Sequence, residues 1–211
     1  EMMRWKSSVN IQIVVSLLVG VFIGGCGTHR KEAVSERPLG AGFRYSAYGP
    51  DYDPGPQYWL RVGQEMAERF PGSVPETVWI VSRLKDDGTL LNFPVEGTDP
   101  LILGSETDEN EAVLDLFDRH GFRVWLQTEP GHAPVEKLID IILARYRHHP
   151  SVVGFGVDVE WFESTDRPEG RPVTDAEARV WLEAVRRHNP DYRLFLKHWE
   201  IGKMPPTERE G

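Results

Sequence analysis

The sequence predicts an α/β chain of the (β/α)8 barrel type, and three observations carry that prediction. Five strand-like segments alternate with four helix-like ones from Gly42 onward, which argues for parallel strands joined by right-handed crossovers. No glycine-rich phosphate loop follows any of these strands, so the usual reason to prefer a nucleotide-binding doubly wound sheet is missing. The third observation is the stretch 152–161. Strand alternation puts Val153, Phe155, Val157, Val159 and Trp161 on one face and Gly154, Gly156, Asp158 and Glu160 on the other. Two glycines followed by two acids suit the inside of a parallel barrel, with the acids at the C-terminal mouth, where barrel chemistry sits.

The N-terminus reads as targeting. Arg4 and Lys6 precede an apolar run from Ile11 to Ile23, the basic and apolar regions of a secretion signal. The run ends in Ile23-Gly24-Gly25-Cys26, which resembles the lipobox of bacterial lipoproteins. That resemblance implies cleavage before Cys26, lipidation of its thiol and an envelope protein anchored to the membrane and facing outward. A single spanning anchor is the alternative, although the run is short of the roughly 20 residues such a helix needs. Cys26 is the sole cysteine, so no intramolecular disulfide forms. The expected organisation is a signal over 1–25, a tether over 26–41 and the barrel part over 42–211.

Within 42–211 the first strand candidate spans 42–48, and a loop dense in Gly and Pro follows. Trp59, Val62, Met66 and Phe70 then recur at helical spacing, with Pro71-Gly72 as the stop. Residues 77–81 form a β-branched strand that leads, through polar Ser82, Arg83 and Lys85, into a long loop to about residue 106. A helix over 109–120 ends at Gly121, in the position of a helix C-cap. The third strand spans 122–127 and the next helix carries Val135, Leu138, Ile139, Ile142 and Tyr146 on its apolar stripe. After the strand at 152–161, Thr174 and Glu177 show the capping-box spacing ahead of a helix lined by Ala178, Trp181, Leu182 and Val185. Leu194-Phe195-Leu196 is the fifth strand, running into Lys197-His198-Trp199-Glu200.

About 170 residues follow the signal and tether, whereas a complete barrel takes about 250. The expectation is therefore a (β/α)8 barrel truncated after its fifth strand, with an open five-stranded sheet as the fallback for a complete chain. The formal charge of -9 over 211 residues argues against nucleic acid as a partner, because that affinity rests on clustered Lys and Arg.

Asp158 and Glu160, two positions apart on one face, have Cα atoms about 6.6 Å apart at a strand rise of about 3.3 Å. Carboxylates this close do not both ionise freely, and the one that retains its proton can act as a general acid. Glu160, nearer the mouth, takes that role with Asp158 assisting. The competing reading makes both acids partners in salt bridges, for example with Lys197.

The run Gly156-Val157-Asp158-Val159-Glu160-Trp161 at the end of a fourth strand resembles the TIM-barrel glycoside hydrolases. It is most similar to the chitinase-like group, whose strand ends in the pattern DxxDxDxE. With Glu160 on the terminal Glu, Asp158 falls on the assisting Asp, and the two upstream acid positions fall on Gly156 and Val153. The resemblance implies a carbohydrate substrate whose leaving glycosidic oxygen Glu160 protonates.

Glu129, after the third strand, would lie about 4.8 Å across the sheet as a second carboxylate. Tyr48, Trp161 and Trp199 fall near strand ends, where their rings would stack on sugars; Trp125 is divided between stacking and core, and Trp59, Trp79 and Trp181 go to the core. His198 and Lys197 complete the expected substrate-binding set. His120, His148, His149 and His188 sit in last turns of helices, where they suit the helix dipole. His132 and His198 could instead join Glu129, Asp158 and Glu160 in a divalent-metal site of a metal-dependent sugar-processing barrel. The leading expectation is a lipid-anchored glycoside hydrolase-like barrel needing no cofactor and no metal; its rivals are that metal-dependent enzyme and a carbohydrate-binding lipoprotein without turnover.

Overall fold

The computed structural model describes residues 37–46, 52, 54–97, 99–164 and 170–208. The signal, Cys26, most of the tether and Tyr48 lie outside them. In chain order the elements are β1 (Gly40–Tyr45), α1 (Pro56–Glu68), β2 (Val74–Ile80), β3 (Ser82–Lys85), β4 (Gly88–Leu91), β5 (Ile102–Gly104), α2 (Glu111–Arg119), β6 (Arg123–Thr128), α3 (Val135–Tyr146), β7 (Val152–Asp158), α4 (Asp175–His188) and β8 (Arg193–Lys197). The first strand starts at Gly40, so two residues assigned to the tether belong to the sheet.

The helices begin and end for local reasons. Pro56 opens α1 at a position whose N–H would have no helical partner. Thr174 and Glu177 close a full capping box on α4, the side chain of each bonding the other's backbone amide. After α2 the chain turns through Gly121 at φ 67°, the left-handed conformation that glycine tolerates.

The main sheet has five strands, all parallel, in the order β1-β2-β6-β7-β8. Spatial order thus follows chain order without reversal. A doubly wound sheet reverses direction at a switch point and so receives helices on both faces; here one hydrophobic core joins a single face of the sheet to the helices. Leu126, Phe155, Val157 and Leu194 from the strands pack in it with Leu114, Phe117, Leu138, Ile142 and Trp181 from the helices. Fully burying an aliphatic or Phe side chain contributes roughly 1.5–3 kcal/mol, and Leu126, Phe155 and Val157 are completely buried. The described sheet is open, with β1 and β8 at its edges. A closed barrel is therefore not what these residues form; they form a mixed α/β unit on a curved parallel sheet.

A buried polar network ties the helices to the sheet behind that core. Trp79 Nε1 donates to Asn110 Oδ1 at 3.0 Å, and Asn110 Nδ2 donates to Asn92 Oδ1 at 2.7 Å and to the Tyr146 hydroxyl at 2.9 Å. The Tyr146 hydroxyl in turn donates to Asp108 at 2.9 Å. Desolvation of the phenol, together with the Asp108 charge, drives the Tyr146 pKa far above its ordinary value, so it remains a donor throughout the accessible pH range.

Two sequence expectations are corrected here. The long loop after β2 contains a second sheet: β3 pairs antiparallel with β4, and β4 parallel with β5. The hairpin turns on Asp86-Asp87, with Asp86 at φ 50°, a two-residue connection of the kind that primed turns make. The strand at 152–161 does not alternate strictly. Val153 is an extra residue opposite the Val124–Trp125 step, so Val152 enters the core and Val153 is half-buried. The strand ends at Asp158, and residues Val159–Trp161 form a single 3-10 turn; Phe162, not Trp161, then packs on the core against Trp181.

On the face away from the helices, Gly154 and Gly156 make room for rings. A Cβ at Gly154 would meet the Trp125 ring at 2.6 Å, and one at Gly156 would overlap Phe195. Those two rings meet edge to face at 5.6 Å. Replacing Gly156 with Ala forces Phe195 aside, so we expect a loss of about 1–3 kcal/mol in urea unfolding; an unchanged midpoint would show that the ring yields freely.

Candidate functional site

The face opposite the helices carries polar groups in layers. Near the strand starts Glu76 and Arg123 form an ion pair at 2.5 Å. Trp125 and Phe195 fill the middle. At the C-terminal ends stands a cluster built from four strands and the turn beyond β7: Arg44, Gln127, Asp158, Lys197 and Glu160.

Asp158 is its centre. As the last residue of β7 it is paired in register with Lys197 of β8, and its side chain is 1% exposed. Arg44 Nη2 donates to its Oδ2 at 2.9 Å and Gln127 Nε2 donates to the same oxygen at 3.1 Å. Lys197 Nζ lies 3.3 Å from Oδ2 and 2.6 Å from Glu160 Oε1. Arg44 Nε also donates to Gln127 Oε1 at 3.2 Å. Loss of water pushes the Asp158 carboxyl above its ordinary pKa; Lys197 and Arg44 oppose this and Glu160 adds to it, with burial prevailing.

The Arg44 contact says something about the sheet as a whole. Three strand spacings of about 4.8 Å, or about 14 Å, separate β1 from β7 in a flat sheet, and strand side chains stand roughly upright. Contact at 2.9 Å requires Arg44 to lean inward across a sheet that curls, with this face on the concave side.

The structure brings Asp158, Glu160 and Lys197 together and thereby forms the salt bridges that were the competing reading of the acids. Glu160 reaches Lys197 from the 3-10 turn rather than from the strand, and its side chain is 15% exposed. Glu129 is buried and turned to the hairpin, where its Oε2 accepts from the Leu84 amide at 3.0 Å while its own amide donates to Ser82 Oγ at 2.9 Å. Trp161 is half-buried beside Glu160 and Trp199 is 67% exposed beyond the end of β8. His198 stacks on Trp199 at 5.6 Å, and its Nδ1 accepts from the Glu200 amide at 2.8 Å. His132 is exposed, its amide donating to the Asp87 carbonyl at 2.7 Å. Among the described residues, the side-chain groups close enough to hold a metal do not include His132, His198, Asp158 or Glu160; they gather at His149.

Two members of the cluster were missed from sequence, Arg44 and Gln127. A signal for Arg44 was present: Gly40-Ala41-Gly42-Phe43-Arg44 repeats the spacing of Gly154-Phe155-Gly156-Val157-Asp158, small residues inward and then a charge. Two sizeable hollows lie away from the cluster. One, of about 370 Å3, runs along β8 beside Trp125, Phe195 and Met204, and the other, of about 500 Å3, lies near Arg123, Val153 and Arg193.

Comparison with protein-family models, with curated proteins and with solved structures finds no match to this chain. Among the described residues no helix is long and apolar enough to cross a membrane.

The ion pairs can be tested through stability. With a raised pKa, Asp158 binds a proton more readily folded than unfolded, so its protonated form favours the native state and that contribution is lost as pH rises through the folded value. Lys197→Met removes a cation that opposes the rise. The variant should match wild type within error at pH 3.5 and fall below it by about 3 kcal/mol at pH 7, the low end for breaking a buried pair because Arg44 remains. Urea unfolding at the two pH values measures this. An equal deficit at both would assign the loss to packing instead.

Proposed function

We propose that this chain is part of a (β/α)8 barrel and acts on carbohydrate as a glycoside hydrolase-like protein, held at the cell envelope by a lipid on Cys26. The observation that carries the reading is the pair of carboxylates, Asp158 and Glu160, converging on Lys197 at the C-terminal ends of a curled parallel sheet. That end of a barrel is where catalytic groups collect. The unreversed strand order and the one-sided helix layer are those a barrel requires.

In this reading Glu160, the more accessible acid, delivers a proton to the leaving glycosidic oxygen, and Asp158 is its internal partner. Burial pushes the Asp158 carboxyl above its ordinary pKa, so Asp158 can hold the proton that Glu160 passes to the leaving oxygen. Lys197, 2.6 Å from Glu160, has to release that carboxylate when substrate enters, and a sugar hydroxyl able to accept from its ammonium is a suitable replacement. Trp161 and Trp199 flank the cluster and offer ring faces to a sugar. Glu129, committed to the hairpin, supports the wall of the site rather than supplying the second reactive carboxyl.

A second reading, a carbohydrate-binding protein without turnover, is favoured by the same ion pairs, which leave both acids engaged by cations in the resting structure. Turnover of a panel of aryl glycosides and glycan oligomers, set beside calorimetric binding, separates the two. The hydrolase reading expects Glu160→Gln to lower kcat/KM by about 10²–10⁴, the usual contribution of a general acid, while binding persists. Sugar binding with no turnover in the wild type selects the second reading. Hydrolysis undiminished in Glu160→Gln would remove Glu160 from the chemistry, and failure of every glycan to bind would end both readings.

A further inference from the structure

The structure places His148 and His149 just past the last turn of α3 and brings both to Glu111 in the first turn of α2. His148 lies 2.9 Å from Glu111 Oε1 through its Nε2, and His149 3.4 Å from the same oxygen through its Nε2. The protonation of the two rings is fixed on their far sides. His148 Nδ1 is 2.9 Å from the Arg145 carbonyl, a helix-terminal oxygen that can only accept. His149 Nδ1 is 2.7 Å from Asp118 Oδ2. The other oxygen of the same carboxylate, Asp118 Oδ1, accepts from the Ser151 amide at 2.9 Å, so this carboxylate too stands as an acceptor. Each Nδ1 therefore donates, and each Nε2, on the side of Glu111, is the ring nitrogen left to ligate.

Glu111 Oε1 thus faces both Nε2 atoms, and the two rings stand 4.1 Å apart, centre to centre. His149 is buried, and its Nε2 has no hydrogen-bond partner. An orphaned buried ring nitrogen within 4.8 Å of two other ligating atoms is the observation that points to an ion.

We propose that Glu111, His148 and His149 hold a divalent transition ion of the zinc class, which clips the start of α2 to the end of α3. Bonds of about 2.0–2.1 Å in a tetrahedral shell place ligand atoms about 3.3 Å apart, and the separations of 2.9 and 3.4 Å bracket that edge. Two imidazoles and one carboxylate suit zinc, cobalt or nickel, whereas calcium and magnesium require oxygen. The exposed side of Glu111 and His148 leaves a fourth position for water. Asp118 behind His149, and the Arg145 carbonyl behind His148, are the outer partners that orient metal-bound histidines. A neighbouring grouping of Asp115 and Asp118 with His149 is less suitable, because the His149 nitrogen facing Asp118 already donates to it. The site belongs to the N-terminal end of β7, about 20 Å from Asp158 at a rise of about 3.3 Å per residue, and it stands whether or not the carbohydrate reading does.

The test is calorimetric titration of the full, chelator-treated chain with zinc chloride, alongside Glu111→Gln, His148→Gln and, as a control at an exposed helix end, His120→Gln. All three replaced positions are at least partly exposed, and circular dichroism checks that each variant folds. Wild type and His120→Gln should share a zinc equivalent that both other variants lose or bind more than about tenfold more weakly, a cost above about 1.4 kcal/mol. Absence of zinc binding in the wild type, or binding that Glu111→Gln and His148→Gln leave unchanged, overturns the proposal.

Discussion

The arrangement of the sheet depends on one carboxylate deprived of water. Asp158 is sealed at the end of β7, and a charge so placed is tolerated only with partners supplied from elsewhere. They come from both edges, Arg44 from β1 and Lys197 from β8, with Gln127 of β6 between them. Only a sheet that curls towards its helix-free face lets the outermost strand reach so far inward. The curvature and the burial of Asp158 are thus a single condition: flatten the sheet and the aspartate loses Arg44; expose the aspartate and there is less to hold the edges in.

Helix and strand placement was legible because it rests on local patterns. The apolar stripe of α3, the capping box of α4 and the β-branched run of β2 each state their own structure within a few residues. The parallel pairing of the strands followed from their alternation with helices. Closure of a barrel did not, since it depends on partners for β1 and β8 that no short-range pattern describes. The Val153 bulge was also hidden, because either Val152 or Val153 satisfies a two-residue period and only the register against β6 decides between them. The β3–β4 hairpin is a different case. Asp86-Asp87-Gly88 between Leu84 and Leu90 was a usable turn signal, obscured by the polar character of Arg83 and Lys85.

The site was legible in its acids and in Lys197, and not in Arg44. Asp158 and Glu160 stand at the end of an apolar strand, a contrast visible in one window of sequence. Arg44 is more than a hundred residues away and meets Asp158 only through the curl of the sheet. His148 and His149 show the same limit: expected in the last turn of a helix, they lie just past the end of α3, where His148 bonds the Arg145 carbonyl, and their convergence on Glu111 belongs to the packing of two helices.

The 3-10 turn after Asp158 divides the two acids by what they owe the fold. Asp158 is locked by ladder, ion pairs and burial, so a change there disturbs the sheet. Glu160 hangs two residues past the last ladder position, on backbone that the sheet does not pair. Selection can therefore exchange the side chain at position 160, altering reactivity or specificity, at small cost to the scaffold. The same strand end holds both a fixed point and a place where new chemistry can be tried.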